Sequence, residues 1–399
     1  MKEASRVWKD GIAKDITFIV TKDCQLACKY CYLVGKNNKE RMTFDVAKRA
    51  IDYILSNEND DWFATQSVVF DFIGGEPFLE IDLIDKICDY LKREMYIKNH
   101  HWFNSYRFNF TTNGINFHEN KIQNFIDKNR DHIRITITID GTEFKHDLNR
   151  IYKNSGKGSY KDVVRNIPLY LKQFPDAATK VTISSADIPY VAESVLHLFE
   201  LGIHEVNINC VFEDVWKSGD DMLFEEQLFK LADAMIDNEL YKENTCSFFS
   251  EEIGKPLDPM ENGNWCGAGN MLSIDASGNF YPCTRFAQYS LREKKAIMIG
   301  NIDEGINKNI IRPFLLLTRD TQSTSECFNC EIARGCAWCQ GENYDAADTN
   351  TIYQRSTAIC KMHKARVRAN NYYWNKLYRK LEKENQCEKI KQYNNLSNC

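Results

Sequence analysis

Cys24, Cys28 and Cys31 share one loop, spaced x3 and then x2, just after the apolar run at residues 16–20. Three thiols spaced so closely wrap around one object. A structural zinc ion normally asks for a fourth Cys or His nearby. A [4Fe–4S] cluster on three thiolates instead keeps one iron free for another ligand. The chain has 15 cysteines in 399 residues, and ten of them are grouped. After the first loop come Cys266 and Cys283, then Cys327-x2-Cys330-x5-Cys336-x2-Cys339, then Cys360. Cytosolic thiols stay reduced, so grouped cysteines there read as metal or cluster ligands rather than disulfides. Two C-x2-C pairs are also a common zinc spacing, and a zinc ribbon is the competing reading for 327–339. Cys88, Cys210, Cys246, Cys387 and Cys399 fall outside the groups, and Cys88 reads as core.

The elements that must carry these loops alternate from residue 16 to about 240. Strands are expected at 15–20, 67–73, 106–110, 133–139, 180–184 and 205–211, rich in β-branched and aromatic residues. Helices with 3–4 apolar spacing are expected at 44–55, 81–95, 121–128, 160–174, 190–201 and 224–238. Alternation of this kind implies a parallel sheet with right-handed crossovers. Six units suit a partial barrel, and a flat doubly wound sheet competes. In either fold chemistry sits at the carboxyl ends of the strands. There the sequence places Gly74-Gly75-Glu76-Pro77, then Thr111-Thr112-Asn113-Gly114, then Thr138-Ile139-Asp140-Gly141 with His146-Asp147 and Arg150 behind it. The two glycines would let main chain approach a ligand, and Glu76 offers a carboxylate to an ammonium. Arg150 suits a carboxylate ligand or a salt bridge with Asp140 or Asp147. The formal charge of −5 gives no reason to expect nucleic acid. No apolar run reaches membrane-spanning length, and the first residues lack the apolar core of an export signal. The expected location is cytoplasmic.

With Tyr30 before the last cysteine, the Cys24–Cys31 loop resembles that of the radical S-adenosylmethionine (SAM) enzymes, C-x3-C-x2-C with an aromatic before the third Cys. Gly74-Gly75-Glu76-Pro77 is similar to that family's motif for the SAM amino group, and Asn113 falls in a turn near the nucleoside. The run from Thr138 through Arg150 to Gly156-Lys157-Gly158-Ser159-Tyr160 resembles the peptide- and protein-modifying branch, with Thr138 where Ser is usual. The resemblance implies a partial (β/α)6 TIM barrel in which Gly74, Gly75, Glu76, Asn113, Thr138 and Arg150 hold SAM. Thr138 and Arg150 would serve its carboxylate, and Asn207 and Asn209 could reach its adenine or ribose. It also implies that the free iron chelates SAM. One electron would then split a carbon–sulfur bond, giving a 5′-deoxyadenosyl radical that abstracts hydrogen.

The second half resembles a SPASM domain: Cys266-x11-Gly278-x4-Cys283, a gap, the 327–339 group, a gap, and Cys360. It departs once, with two residues instead of three between Cys336 and Cys339. Such domains hold two auxiliary clusters, which would make three [4Fe–4S] clusters in all. By that resemblance Cys266, Cys283 and Cys339 serve the nearer one, and Cys327, Cys330, Cys336 and Cys360 the distal one. The relatives' fourth ligand to the nearer cluster is replaced by Leu272. That leaves Cys246, Cys210, another side chain, or a substrate thiolate for the last iron. Sulfatase maturases carry an Asp where this chain has Thr284, which together with Leu272 argues against that activity. The expected function is a radical SAM oxidoreductase-type enzyme that crosslinks a ribosomally made, Cys-containing precursor peptide through a thioether. Carbon–carbon crosslinking, epimerisation, sulfatase-maturase-like oxidation and a non-catalytic iron–sulfur carrier are the alternatives. Partners would include an electron donor such as flavodoxin or ferredoxin. With only about fifteen residues before the first strand, leader recognition would fall to the barrel rim, the tail or a separate protein. The expected division is 1–240 barrel, 241–265 bridge, 266–360 SPASM domain and 361–399 helical tail. Residues 361–380 carry seven cations and no acid, which suits a packed solvated helix or a docking face for an acidic peptide.

Overall fold

Phe, Ile and Val at every second position make strands that bury one face, and six such strands build the first half. They are β1 (Ala13–Thr21), β2 (Ser67–Gly74), β3 (Tyr106–Thr112), β4 (Ile133–Ile137), β5 (Ala178–Ile183) and β6 (Glu205–Cys210). The computed structural model describes residues 13–36, 38–258, 260–263 and 266–396; Cys399 and the side chain of Cys387 lie outside what is described. Between the strands run α1 (Phe44–Ser56), α2 (Ile81–Ile97), α3 (Asn120–Lys128), α4 (Glu143–Asn149), α5 (Tyr160–Val164), α6 (Ile167–Gln173), α7 (Val191–Glu200) and α8 (Asp220–Asp237).

β1 to β4 pair in parallel in chain order, β5 pairs with β6, and a parallel bridge between Thr138 and Lys180 joins the two sets. A doubly wound sheet reverses strand order at its centre. This one never reverses, so its winding is that of a barrel. The barrel does not close. β7 (Thr245–Cys246) pairs with β6, and β8 (Leu272–Ile274) pairs with β1 through Ile16 and Leu272. Both sheet edges, with their unsatisfied main-chain groups, are thus covered from beyond residue 240. The sheet continues through the hairpin partner β9 (Asn279–Tyr281) into β10 (Gly300–Asn301) and β11 (Gly305–Ile306).

The helix-facing side of the sheet is an aromatic layer. Phe18, Phe72 and Phe110 are in register across three strands, with ring centroids 5.7 and 5.3 Å apart and near-parallel planes. Such contacts add about 0.5–1.5 kcal/mol each beyond burial. The alternate residues Asp71, Asn109 and Lys180 face the lumen instead.

Three local expectations change. The helix expected at 160–174 is two, because Pro168 has no N–H to continue α5 and instead sits in the first turn of α6. The strand expected at 133–139 ends at Ile137, so Thr138 and Asp140 lie in the turn beyond it. α4, unforeseen, buries Lys145 and His146.

The terminal helix, Cys360–Leu396, lies along α8. Its cations are used there: Arg368 on Glu225 (2.5 Å), Lys376 on Asp233 (2.7 Å) and Asp237 (2.9 Å), and Lys380 on Glu239 (3.5 Å). Three cations of the basic stretch are thus paired along α8, while Lys361, Lys364 and Arg379 remain exposed. No helix among the described residues is long and apolar enough to cross a membrane.

Candidate functional site

The Cys24–Cys31 loop leaves the carboxyl end of β1 and is clamped by the loop after β2. Gly75 N–H donates to the Thr21 carbonyl (2.9 Å) and Glu76 N–H to that of Asp23 (2.8 Å). A Cβ on Gly74 would fall 2.2 Å from the Thr21 oxygen, and one on Gly75 2.1 Å from the Asp23 oxygen. These glycines admit the cysteine loop's own backbone, a different use from the approach to a ligand expected of them. Cys24 is buried; Cys28 and Cys31 are half-buried. Burial pushes the Cys24 thiol up to about 12, with the Glu76 carboxylate adding to it, and raises Cys28 as well. As free thiols they stay neutral, and coordination to a metal would be what deprotonates them.

Glu76 is buried and held on both oxygens. Oε1 accepts from Thr112 Oγ1 (2.7 Å) and Phe78 N–H (3.1 Å), and Oε2 from Asn113 N–H (2.7 Å). A carboxylate accepts about four bonds, so one place remains for an outside donor. Asn113 donates through Nδ2 to Gln25 Oε1 (3.0 Å), with Cys24 Sγ at 3.9 Å. The Asn-Gly turn, the Glu and the cysteine loop are therefore one hydrogen-bonded unit.

Arg150 makes neither of the ion pairs considered for it. Its Nη1 donates to Tyr30 Oη (3.0 Å), whose hydroxyl bonds the Asp140 carboxylate; Asp147 instead accepts from Tyr160 N–H (2.9 Å). Arg150 Nε is buried with no partner. An orphaned guanidinium N–H at the carboxyl ends of β-strands suits an arriving carboxylate. Burial works against ionising Asp140, but Lys145, Arg150 and the Tyr30 hydroxyl hold its carboxyl below the usual range. His146 props this turn: its Nδ1 accepts from Asp140 N–H (3.2 Å), and Nε2 meets Ser159 Oγ (3.0 Å). Thr138 is buried, its N–H on the Thr112 carbonyl (2.9 Å). Asn207 bonds Glu205 (3.0 Å) within β6.

The later cysteines fall into two sets. Burial raises the Cys266, Cys283, Cys336 and Cys360 thiols; Cys339 stands beside Cys266 and Cys283, and Cys327 and Cys330 stand beside Cys336 and Cys360. Among the described residues, no three cysteine Sγ atoms lie within 4.8 Å of one another. Four thiolates on one zinc at about 2.3 Å would stand roughly 3.8 Å apart. Leu272, at the relatives' fourth position, is inside β8, and Cys210 and Cys246 lie beside Arg366.

Sequence reasoning missed the seam between the cysteine loops. Arg285 lies over the Tyr32 ring (4.2 Å), pairs with Glu213 (2.7 Å) and Glu342 (3.5 Å), and stands beside Cys339. Gly35 N–H donates to the Tyr289 carbonyl (2.9 Å), and Tyr32 and Tyr289 fill the space between Cys31 and Cys283. A Tyr directly after Cys31 and an Arg two residues after Cys283 were the available signals.

Two other constellations lie apart. A cavity of about 650 Å³ opens at the amino end of β1 among Lys14, Asp15 and Trp62, and no cysteine lines it. Glu58, His100 and His101 cluster, but Trp102 N–H donates to His100 Nδ1 (3.2 Å). That bond keeps the ring hydrogen on Nε2, the atom facing Glu58, so it has no lone pair for a cation.

Comparison with known proteins gives three findings. The profile of the radical SAM superfamily matches residues 18–202. An uncharacterized protein of Methanocaldococcus jannaschii is 31% identical over 298 residues, which is 74% of this chain and 90% of the relative. Among solved structures, anSMEcpe with bound AdoMet superposes with a TM-score of 0.64 at 16% identity, covering 91% of this chain and 98% of that one. SuiB of Streptococcus suis bound to the precursor peptide SuiA gives 0.58 at 15%, covering 89% and 78%. A further anSMEcpe structure contains AdoMet and the Kp18Cys peptide, with a TM-score of 0.63 at 17% identity and coverage of 91% and 99%.

Proposed function

We propose, from the match of residues 18–202 to the radical SAM superfamily, that the chain is a radical SAM enzyme that modifies a Cys-containing, ribosomally made peptide by installing a thioether crosslink. The family implies an enzyme with a [4Fe–4S] cluster and SAM. Cys24, Cys28 and Cys31 would hold that cluster. Glu76, with one acceptor place left, would take the SAM amine, and Arg150, with its unpaired Nε, the carboxylate. Gly74 and Gly75 would fix the loop, and Asn113 and Thr138 would line the same end of the sheet. The bound pair supplies one-electron cleavage of a carbon–sulfur bond, and with it hydrogen abstraction from an unactivated carbon. This chain's own part is to orient those groups and to exclude water, with the buried Glu76, Asp140 and His146 network as the rigid wall.

Two auxiliary clusters on the SPASM-like framework complete the reading, one on Cys266, Cys283 and Cys339, the other on Cys327, Cys330, Cys336 and Cys360. The observation that carries it is the first of these triads, packed through Tyr32 against the Cys31 loop, with Leu272 at the relatives' fourth position. An open coordination place there suits a substrate thiolate. The likeness to SuiB with its precursor peptide and to anSMEcpe with a Cys peptide supports a peptide substrate. The test is anaerobic reconstitution with a candidate Cys-rich peptide. Crosslinking removes two hydrogens per turnover and leaves a Cys that no longer alkylates, without a disulfide. A product of unchanged mass carrying solvent deuterium would replace this reading with epimerisation.

A further inference from the structure

Lys180 is a lumen cation that the proposed reaction leaves unused. It lies on β5 in parallel register with Thr138, at the level where the SAM groups converge, and with Asn207 on β6. Its neighbours Thr179 and Val181 are buried on the helix side, whereas Lys180 is open to the lumen. Four charged groups face it: Asp71, Asp140, Arg150 and Arg285. Asp71 accepts from Asn109 Nδ2 (2.6 Å). Asp140 is taken by Tyr30 and by Thr182 N–H (3.1 Å). Arg285 is paired with Glu213, and Arg150 donates to Tyr30. The Lys180 ammonium makes no hydrogen bond or ion pair among the described residues. Burial lowers its pKa, and the two guanidinium groups add to this. The ammonium thus stands among two guanidinium groups and two carboxylates that are each engaged by another partner, and its open side can take an arriving anion.

SAM has one carboxylate, which the orphaned Arg150 Nε would suit, and its other groups carry no negative charge. The anion must therefore come with the substrate. We propose that Lys180 is a carboxylate-binding subsite that selects a peptide carrying an acidic group next to the residue being modified. This rests on the peptide reading above. The carboxylate could be an Asp or Glu side chain or the peptide's own C terminus, and both present the same two-oxygen acceptor to the ammonium.

The test pans two peptide libraries, each with one fixed Cys flanked by random residues, against the reconstituted protein with SAM and no electron donor, so that nothing turns over. One library is displayed through its C terminus and the other leaves it free. Wild type should enrich Asp and Glu about tenfold at one flanking position of the first library, a typical worth for one charge-assisted bond. Enrichment confined to the free-C-terminus library would assign the carboxylate to the chain end instead. K180M should abolish the preference, K180R retain it, and K180E turn it toward Lys and Arg. Iron content and circular dichroism show whether each variant is folded, and K180R carries the comparison should K180M not fold. Equal acid enrichment by wild type and K180M, or no acid preference in wild type, overturns the proposal. So does a tenfold loss of SAM affinity in K180M by equilibrium dialysis with peptide selection unchanged, since Lys180 would then serve SAM. Should wild type enrich no sequence over an albumin control while still cleaving SAM on reduction, it is the peptide reading that fails, and the subsite with it.

Discussion

A single buried carboxylate, Glu76, ties the cysteine loop, the Asn-Gly turn and the open end of the sheet together. Replacing it by Gln puts an NH2 where donors already point. Glu76→Gln should therefore weaken SAM binding at least about tenfold by equilibrium dialysis, with helix content unchanged. His146 allows a second test at this scale. Burial, and then the Arg150 charge, push its pKa down to about 3 from an ordinary value near 6.5. A histidine held neutral in the fold contributes fully above the unfolded pKa, and that contribution is lost as pH falls from about 6.5 toward 3. Between pH 7 and pH 5 the loss from this residue should be about 2 kcal/mol in urea unfolding, and the difference should vanish in His146→Gln. That the Gly-Gly-Glu-Pro string and the Asp-Gly run stand in loops just past strand ends was legible, because each directly follows a short β-branched or aromatic run. Lys180 and Arg285 were not, since nothing in the sequence says which lysine faces the lumen or which arginine meets Tyr32.

At the level of elements, the seam between the β1 and β2 loops is set by backbone contact. Gly75→Ala would place a Cβ 2.1 Å from the Asp23 oxygen, which that carbonyl cannot yield without giving up the clamp. On the three-cluster reading the variant should lose about four irons of twelve on reconstitution, the same four lost when Cys24, Cys28 and Cys31 are replaced together. The terminal helix offers an independent test. Reversing Arg368 and Lys376 to Glu sets like charges against Glu225, Asp233 and Asp237. Exposed pairs are worth little singly, so about 1–2 kcal/mol of lost stability is expected, read by thermal unfolding, with iron content intact. The long alternating elements could be read from periodicity because each buries one face. β7 and β8, at two and three residues, are too short to carry a period.

For the whole molecule, the six-unit alternation was enough to argue a parallel sheet. The order of pairing decided for an open barrel over a doubly wound sheet. What the sequence could not show is that the second half closes both flanks of the first. A chain ended at residue 240 should therefore expose the free edges of β1 and β6 and self-associate, which sedimentation would detect. The β1–β8 pairing has a further consequence, for biosynthesis. Ile16 and Leu272 are joined across about 250 residues of chain. At roughly 5–20 residues per second, a ribosome would take about 12–50 s to deliver the partner that β1 waits for. Through that interval the nascent strand presents an open flank to its surroundings. The Cys24–Cys31 loop has emerged by then, while Cys360, the last thiol of the distal set, follows later still. On the three-cluster reading, cofactor loading in the cell would be tied to the clock of translation, and a factor that shields the nascent β1 edge should raise the yield of fully loaded protein.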